Sequence, residues 1–137
     1  MEENIEFYNV VVRKLADIAD SPHFFQNIVE QINDGIIIID NGGISLYWNR
    51  RAEILLGYER DDVLGTPIKI FEDEKKFQKM VGNVINKREI TNSKITNYIA
   101  TCNTKSGDTL DVDITITDFK NDQGKINGLC LLLKGIT

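Results

Sequence analysis

The sequence predicts an α+β fold: a five-stranded antiparallel sheet with short helices on one face and an N-terminal amphipathic flanking helix. Three observations carry this. An apolar, β-like run from Ile44 to Trp48 stops at Asn49, and a short helix follows that Gly57 ends. Leu110, Val112, Ile114 and Ile116 alternate with Asp111, Asp113, Thr115 and Thr117, the period of a strand with one buried and one wet face. The order is a strand pair, then helices, then a three-strand meander, which closes most simply as an antiparallel sheet.

The elements follow in order. Residues 4 to 20 read as an amphipathic helix. Ile5, Tyr8, Val12, Leu15 and Ala19 step by three and four, as at a and d positions, and Phe7, Val11 and Ile18 form a second apolar stripe beside them. One stripe can lie on a sheet while the other meets a second subunit; the simpler alternative packs the whole helix on its own domain. Asp20-Ser21-Pro22 breaks and restarts the chain, with Ser21 as N-cap and Pro22 in the first helical position. Phe24, Phe25, Ile28, Val29 and Ile32 then face one way until Asn33-Asp34-Gly35 stops the helix.

Ile36 to Ile39 is a continuous β-branched run, expected to be a strand buried on both faces. Asn41-Gly42-Gly43 is a tight turn into the second strand. Asn49 is a strong N-cap residue and Gly57 the glycine that closes the central helix. Asp61 to Leu64 and Pro67 to Phe71 read as short helical turns separated by Gly65. Asp73 caps a longer helix whose Phe77, Met80, Val81, Val84 and Ile85 share one face. Ile95 to Asn103, Leu110 to Thr117 and Ile126 to Lys134 are the three meander strands, joined by turns at Thr104–Asp108 and Asn121–Gly124.

Composition narrows the function. The 137 residues suit one domain, divided here into a flanking helix over 1–20 and a core over 21–137, and the 42% hydrophobic share supports a packed core. A net charge of −5 argues against nucleic-acid binding. The small cluster of Lys75, Lys76 and Lys79 reads as the solvated face of a helix. His23 is the single histidine, which removes a Ser-His-Asp triad and a multi-histidine metal site. Cys102 and Cys130 match no zinc spacing, and a free buried cysteine commonly acts as a small hydrophobe. Asp111 and Asp113 share a face on one strand, where paired carboxylates most often solubilise. No run approaches the roughly 18 apolar residues of a membrane span, and the acidic N-terminus lacks the character of a secretory leader. A cytoplasmic domain with no metal, no catalytic set and no direct membrane contact is the expectation.

Trp48-Asn49-Arg50-Arg51-Ala52-Glu53-Ile54-Leu55-Leu56-Gly57-Tyr58 resembles the centre of a PAS domain. Asp34-Gly35-Ile36-Ile37-Ile38-Ile39-Asp40 before it and Asp61-Asp62-Val63-Leu64-Gly65 after it extend the resemblance, which covers roughly residues 22 to 137. The chain closes with Gly135-Ile136-Thr137, similar to the Asp-Ile-Thr that joins such domains to an output helix, with Gly135 in place of the acidic residue.

The resemblance implies a sensory module with a pocket between sheet and helices. Ile37 and Ile39, Ala100 and Cys102, and Leu129, Leu131 and Leu133 would line it from the strands. Ile68, Ile70, Met80 and Val84 would close it from the helical side. Flavin-binding members carry Gly-x-Asn-Cys-Arg-Phe where this chain has Gly65-Thr66-Pro67-Ile68-Lys69-Ile70, so Ile68 holds the reactive cysteine's place. Haem-binding members use a histidine on the long helix, and residues 74 to 87 contain none. Neither flavin nor haem is expected; a small, mostly apolar ligand is. Asn49, Gly135 and Thr137 would relay the signal. A homodimer through Ile5, Tyr8, Val12 and Leu15 is expected, coupled to an output domain of a longer parent, most commonly a histidine kinase. The alternative is a ligand-free dimerisation or protein-interaction domain of a transcription regulator.

Overall fold

The computed structural model describes residues 10, 24–85 and 96–136. They belong to two units, divided between Ile32 and Asn33. The first contains helix α1 (Phe24–Gln31), on which Val29 is buried and Ile28 exposed; Ile32, just past its end, is also exposed, so the apolar stripe read from the sequence is not buried as a whole. Ile28 and Val29 are neighbours in sequence and point about 100° apart on a helix, which is why one is covered and the other is not. The flanking helix with Ile5, Tyr8, Val12 and Leu15, the Ser21-Pro22 restart, His23, Ile95 and Thr137 lie outside the described residues.

The second unit is built on one antiparallel sheet of five strands, β1 (Gly35–Ile39), β2 (Ser45–Trp48), β3 (Thr96–Asn103), β4 (Thr109–Lys120) and β5 (Ile126–Gly135). Their spatial order is β2-β1-β5-β4-β3, so the two short N-terminal strands extend the C-terminal meander. Between β2 and β3, the described residues form three helices, α2 (Arg50–Leu56), α3 (Arg60–Val63) and α4 (Glu74–Ile85).

Local chemistry sets the punctuation. The Asp40 carboxylate accepts from Gly42 N and Ile44 N, both at 2.9 Å, and folds the β1–β2 turn. Asn49 starts α2 with its side chain on Ala52 N, and Gly57, at φ 82°, ends it by donating to Glu53 O at 2.7 Å. Asp73 caps α4 through Lys76 N at 3.0 Å. Gly35 allows α2 to lie almost on β1: a Cβ there would meet Ala52 Cα at 3.2 Å.

Register decides which side chains meet. Ile37 pairs with Leu131 and Leu131 with Ile116; Leu133 pairs with Ile114 and Ala100 with Val112. These residues share the inner face, where they pack with Trp48, Ala52, Leu56, Phe71, Phe77 and Val84 in one core. Cys130, Leu132, Asp111 and Asp113 fall on the other face, as alternation requires. Asp111 and Asp113 are tied to their neighbours there by Thr101 at 2.8 Å and Asn97 at 2.6 Å.

One expectation is corrected. Residues 67 to 71 are not helical; Pro67 and Phe71 instead make isolated β-bridges to Ile44 and Cys102. The backbone groups of this stretch find partners on both edges of the sheet. Thr66 O accepts from Ser45 N at 2.9 Å and Ile68 N donates to Gly43 O at 2.8 Å on the β2 side. Ile70 O accepts from Asn103 N at 2.7 Å and Glu72 N donates to Thr101 O at 3.0 Å on the β3 side. Both edges are thus covered by a strap that satisfies its own backbone without a helical turn.

Candidate functional site

The strap, α3 and the end of β2 enclose a cavity of about 490 Å³. Its apolar lining is Trp48, Tyr58, Val63, Pro67, Ile68 and Ile70; its polar lining is the exposed Asp62, Thr66, Lys69 and Lys105 and the buried Ser45. Each element places its residue for a local reason. Trp48 is the last residue of β2, held on the inner face by its pairing with Ile37. Tyr58 follows the Gly57 turn, packs edge-on against Trp48 with ring centroids 6.1 Å apart, and donates its hydroxyl to Asn103 O at 3.4 Å. Lys105 sits in the β3–β4 turn, where its backbone N donates to Leu56 O at 3.0 Å and its ammonium lies 3.6 Å from Asp62. A volume of this order suits a small organic ligand.

Two polar atoms of this wall are unusual. Ser45 Oγ and Trp48 Nε1 are buried and make no hydrogen bond among the described residues, although each residue is only 1% exposed. Most buried polar groups are partnered.

Directly beyond Trp48, Asn49 is fully buried and its amide joins the stretch 34–36 to the first turn of α2. Its Oδ1 accepts from Ile36 N and Ala52 N, both at 2.9 Å, and its Nδ2 donates to Asp34 O at 3.0 Å. Its backbone N also donates to Ile36 O at 3.0 Å. The cavity wall is therefore one residue from the joint between β1 and α2. At the same end of the sheet, two residues past the Gly35–Leu133 pair, Gly135 pairs with Val112, and Ile136 N donates to Asp111 O at 3.3 Å.

The residues assigned to the pocket from sequence divide. Ile68 and Ile70 line the 490 Å³ cavity. Ala100 borders a smaller one of about 200 Å³ with Phe71, Lys76 and Tyr98, and Val84 borders a third near Ile126. Ile37, Ile39, Cys102, Leu129, Leu131 and Leu133 are 0 or 1% exposed and pack in the core, with Met80 partly buried against it. Ser45, Trp48 as a cavity wall, Tyr58 and Lys105 were not singled out for the pocket. Plain alternation would put Ser45 and Trp48, three residues apart, on opposite faces; a register shift between Ile38 and Ile39 sets Ser45 opposite Ile39 and Trp48 opposite Ile37.

Burial pushes the Cys102 thiol up to about 12, helped by the Asp111 carboxylate, so it is a protonated core residue at neutral pH. Burial raises the Cys130 thiol as well. The Tyr98 phenol is also pushed up to about 12, by burial first and then by Cys102 and Asp73. No group of three histidine, cysteine or carboxylate side chains among the described residues is placed to hold a metal ion. Among the described residues no helix is long and apolar enough to cross a membrane.

A sheet-and-strap fold with a side cavity and a polar joint beside it defines a class of small sensory modules. The PAS fold family matches residues 23–136, and the chain belongs to it. Three solved structures are similar. The PAS domain of an HTR-like protein from Haloarcula marismortui superposes with TM-score 0.68 at 18% identity, covering 90% of this chain and 98% of that one. An RNA-binding light-oxygen-voltage receptor gives 0.70 at 14% identity, covering 87% of this chain and 34% of that one. A PAS domain from a two-component sensor histidine kinase gives 0.62 at 12% identity, covering 82% and 94%. At these identities the likeness is one of fold. No curated protein matches the sequence.

Proposed function

We propose that this chain is the sensory input module of a longer cytoplasmic signalling protein, binding a small ligand and passing its occupancy to an output domain. The observation that carries the reading is the cavity beside Trp48, one residue from the Asn49 bridge. A ligand that moves Trp48 pulls on Asn49, and through it on Ile36, at the start of the sheet, and on the first turn of α2. A homodimer through residues 4 to 20 would carry the signal between subunits, and Gly135 to Thr137 would lead to the output domain. A histidine kinase is the favoured parent because one similar structure is the PAS domain of such a sensor.

A second reading has its own support. The inner face of the sheet is closely packed, with Ile37, Ile114, Ile116, Leu129 and Leu131 at 0% exposure. A filled core suits a ligand-free dimerisation domain of a transcription regulator. Thermal-shift screening of a small-molecule library, with native mass spectrometry of the freshly purified protein, separates the two. Saturable stabilisation by any compound class, or a co-purified ligand mass, supports the sensor. A bare mass with no stabilising compound refutes it and leaves the scaffold.

A further inference from the structure

We infer that residues 58 to 64 form a hinged gate over the cavity beside Trp48, latched shut by the Glu53 carboxylate on Arg60. This rests on the reading of the domain as a ligand sensor and supplies the ligand's way in, although a gate opens with or without a ligand. Asp62 and Val63 of this segment line the cavity. Tyr58, at its start, lies edge-on against Trp48 with ring centroids 6.1 Å apart. Lifting the segment therefore opens the cavity and uncovers the indole.

Both ends of the segment are pinned. Just before Gly57, Leu56 O accepts from Lys105 N at 3.0 Å. At the other end, Gly65 N donates to Ser45 O at 2.8 Å and Thr66 O accepts from Ser45 N at 2.9 Å. Gly57 and Gly65 stand at φ 82° and 79°, and glycine moves through this region without a Cβ penalty. Lids swing on a few such residues at the ends of elements. Between the pins, every residue from 58 to 64 is exposed or half-buried. The Asp62 and Leu64 amides donate to Glu59 O and Arg60 O within the segment itself. Moving as a unit keeps both bonds and gives up little buried apolar surface, the mark of a region that opens locally.

Polar ties to the body of the domain hold the segment down, and they are unequal. Glu53 Oε2 accepts from Arg60 N at 2.9 Å, and Oε1 accepts from Arg60 Nε and Nη2 at 3.1 and 3.0 Å. These bonds are charge-assisted, and the Arg60 and Glu53 side chains are only 31% and 21% exposed. Lys105 and Asp62 stand 3.6 Å apart and are both more than half exposed, where an ion pair contributes little. The Tyr58 hydroxyl reaches Asn103 O at 3.4 Å, well beyond the roughly 2.8 Å usual between such oxygens. Glu53 is thus the main latch, and it sits on α2, the helix that Asn49 caps.

Trp48 is the single tryptophan and is 1% exposed, so quenching of its fluorescence by acrylamide reads the gate in the full chain. Glu53→Ala should raise the quenching rate constant about three- to tenfold, the worth of one net hydrogen bond. Arg60→Ala should raise it too, and the double variant should be no more quenched than the more open single one, because both remove the same latch. Val112→Ala, a fully buried truncation outside the gate, should lose stability yet be quenched like the unaltered protein. Should Glu53→Ala fail to fold, Glu53→Gln, which loses the charge and keeps an acceptor, should show a smaller rise. Quenching of the Glu53 variants equal to that of the unaltered protein overturns the gate. So does Val112→Ala quenched as strongly as Glu53→Ala, or a double variant whose rise is the product of the two single ones. If the gate opens as expected and library screening finds no compound, the gate stands and the sensor reading falls. If compounds bind and the Glu53 variants are quenched like the unaltered protein, the sensor reading stands and the gate falls.

Discussion

Asn49→Ala is the most informative substitution at the joint. It removes an acceptor from Ile36 N and Ala52 N, each at 2.9 Å, and a donor to Asp34 O at 3.0 Å. Losing an N-cap costs about 1 kcal/mol. Leaving the buried Ile36 N–H without a partner costs a further 1–3 kcal/mol or so. The sum is roughly 2–4 kcal/mol, a large share of the stability of a domain this size. Asn49→Ser keeps a capping hydroxyl for α2 but is too short to hold the 34–36 stretch as well, so it should lose less. Urea denaturation followed by circular dichroism reads both. With the usual urea dependence, the Asn49→Ala midpoint should fall by roughly 1–2 M. A loss below about 1 kcal/mol, or Asn49→Ser matching Asn49→Ala, would refute the view that the side chain bridges β1 to α2 as well as capping the helix.

Four further outcomes are expected. Leu131→Ala should cost about 2–5 kcal/mol as a fully buried core truncation, whereas Asp113→Ala, on the outer face, should cost about 0.5 kcal/mol or less; denaturant melts that reverse this order would overturn the strand register. Stability should fall with rising pH in the alkaline range. Cys102 and Tyr98 hold their protons up to about 12 in the folded state, so the unfolded chain ionises first, from its ordinary thiol value upward, and binds fewer protons; melts at pH 8, 9 and 10 that showed increasing stability would contradict this. The purified protein should be colourless, because Ile68 stands in the place of a flavin-reactive cysteine and residues 74 to 87 lack a histidine, and stoichiometric visible absorption would overturn that reading. Light scattering should give a dimer mass for the full chain and a monomer mass for a chain beginning at Ser21; equal states for the two would remove residues 4 to 20 as the contact.

Much of the fold was legible because it is written in short-range chemistry. Asn49 and Gly57 bracket α2 through contacts within a few residues, and the alternation from Leu110 to Ile116 needs only the pleat of a strand. Residues 67 to 71 carry no local sign of their extended course, because their hydrogen bonds run to Gly43 and Asn103, partners that no local pattern reveals. The cavity was harder still. Alternation tells which side chains point inward, as at Ile37 and Leu131, but not whether the space between them is filled. Ser45, Tyr58, Ile68 and Lys105 come from four separate segments and meet only once the strap crosses the sheet edges. An orphaned indole N–H is visible only when its surroundings are known.

Amide hydrogen exchange, with and without a saturating compound found by the thermal-shift screen, tests the coupling between cavity and joint most directly. The Ile36 and Ala52 amides are both held by Asn49, one residue from the cavity wall. Ligand binding should change their exchange rates, while that of Ile116, in the middle of the sheet, stays as in the free protein. Saturable binding that leaves Ile36 and Ala52 unchanged would contradict the proposal that this domain senses through Asn49.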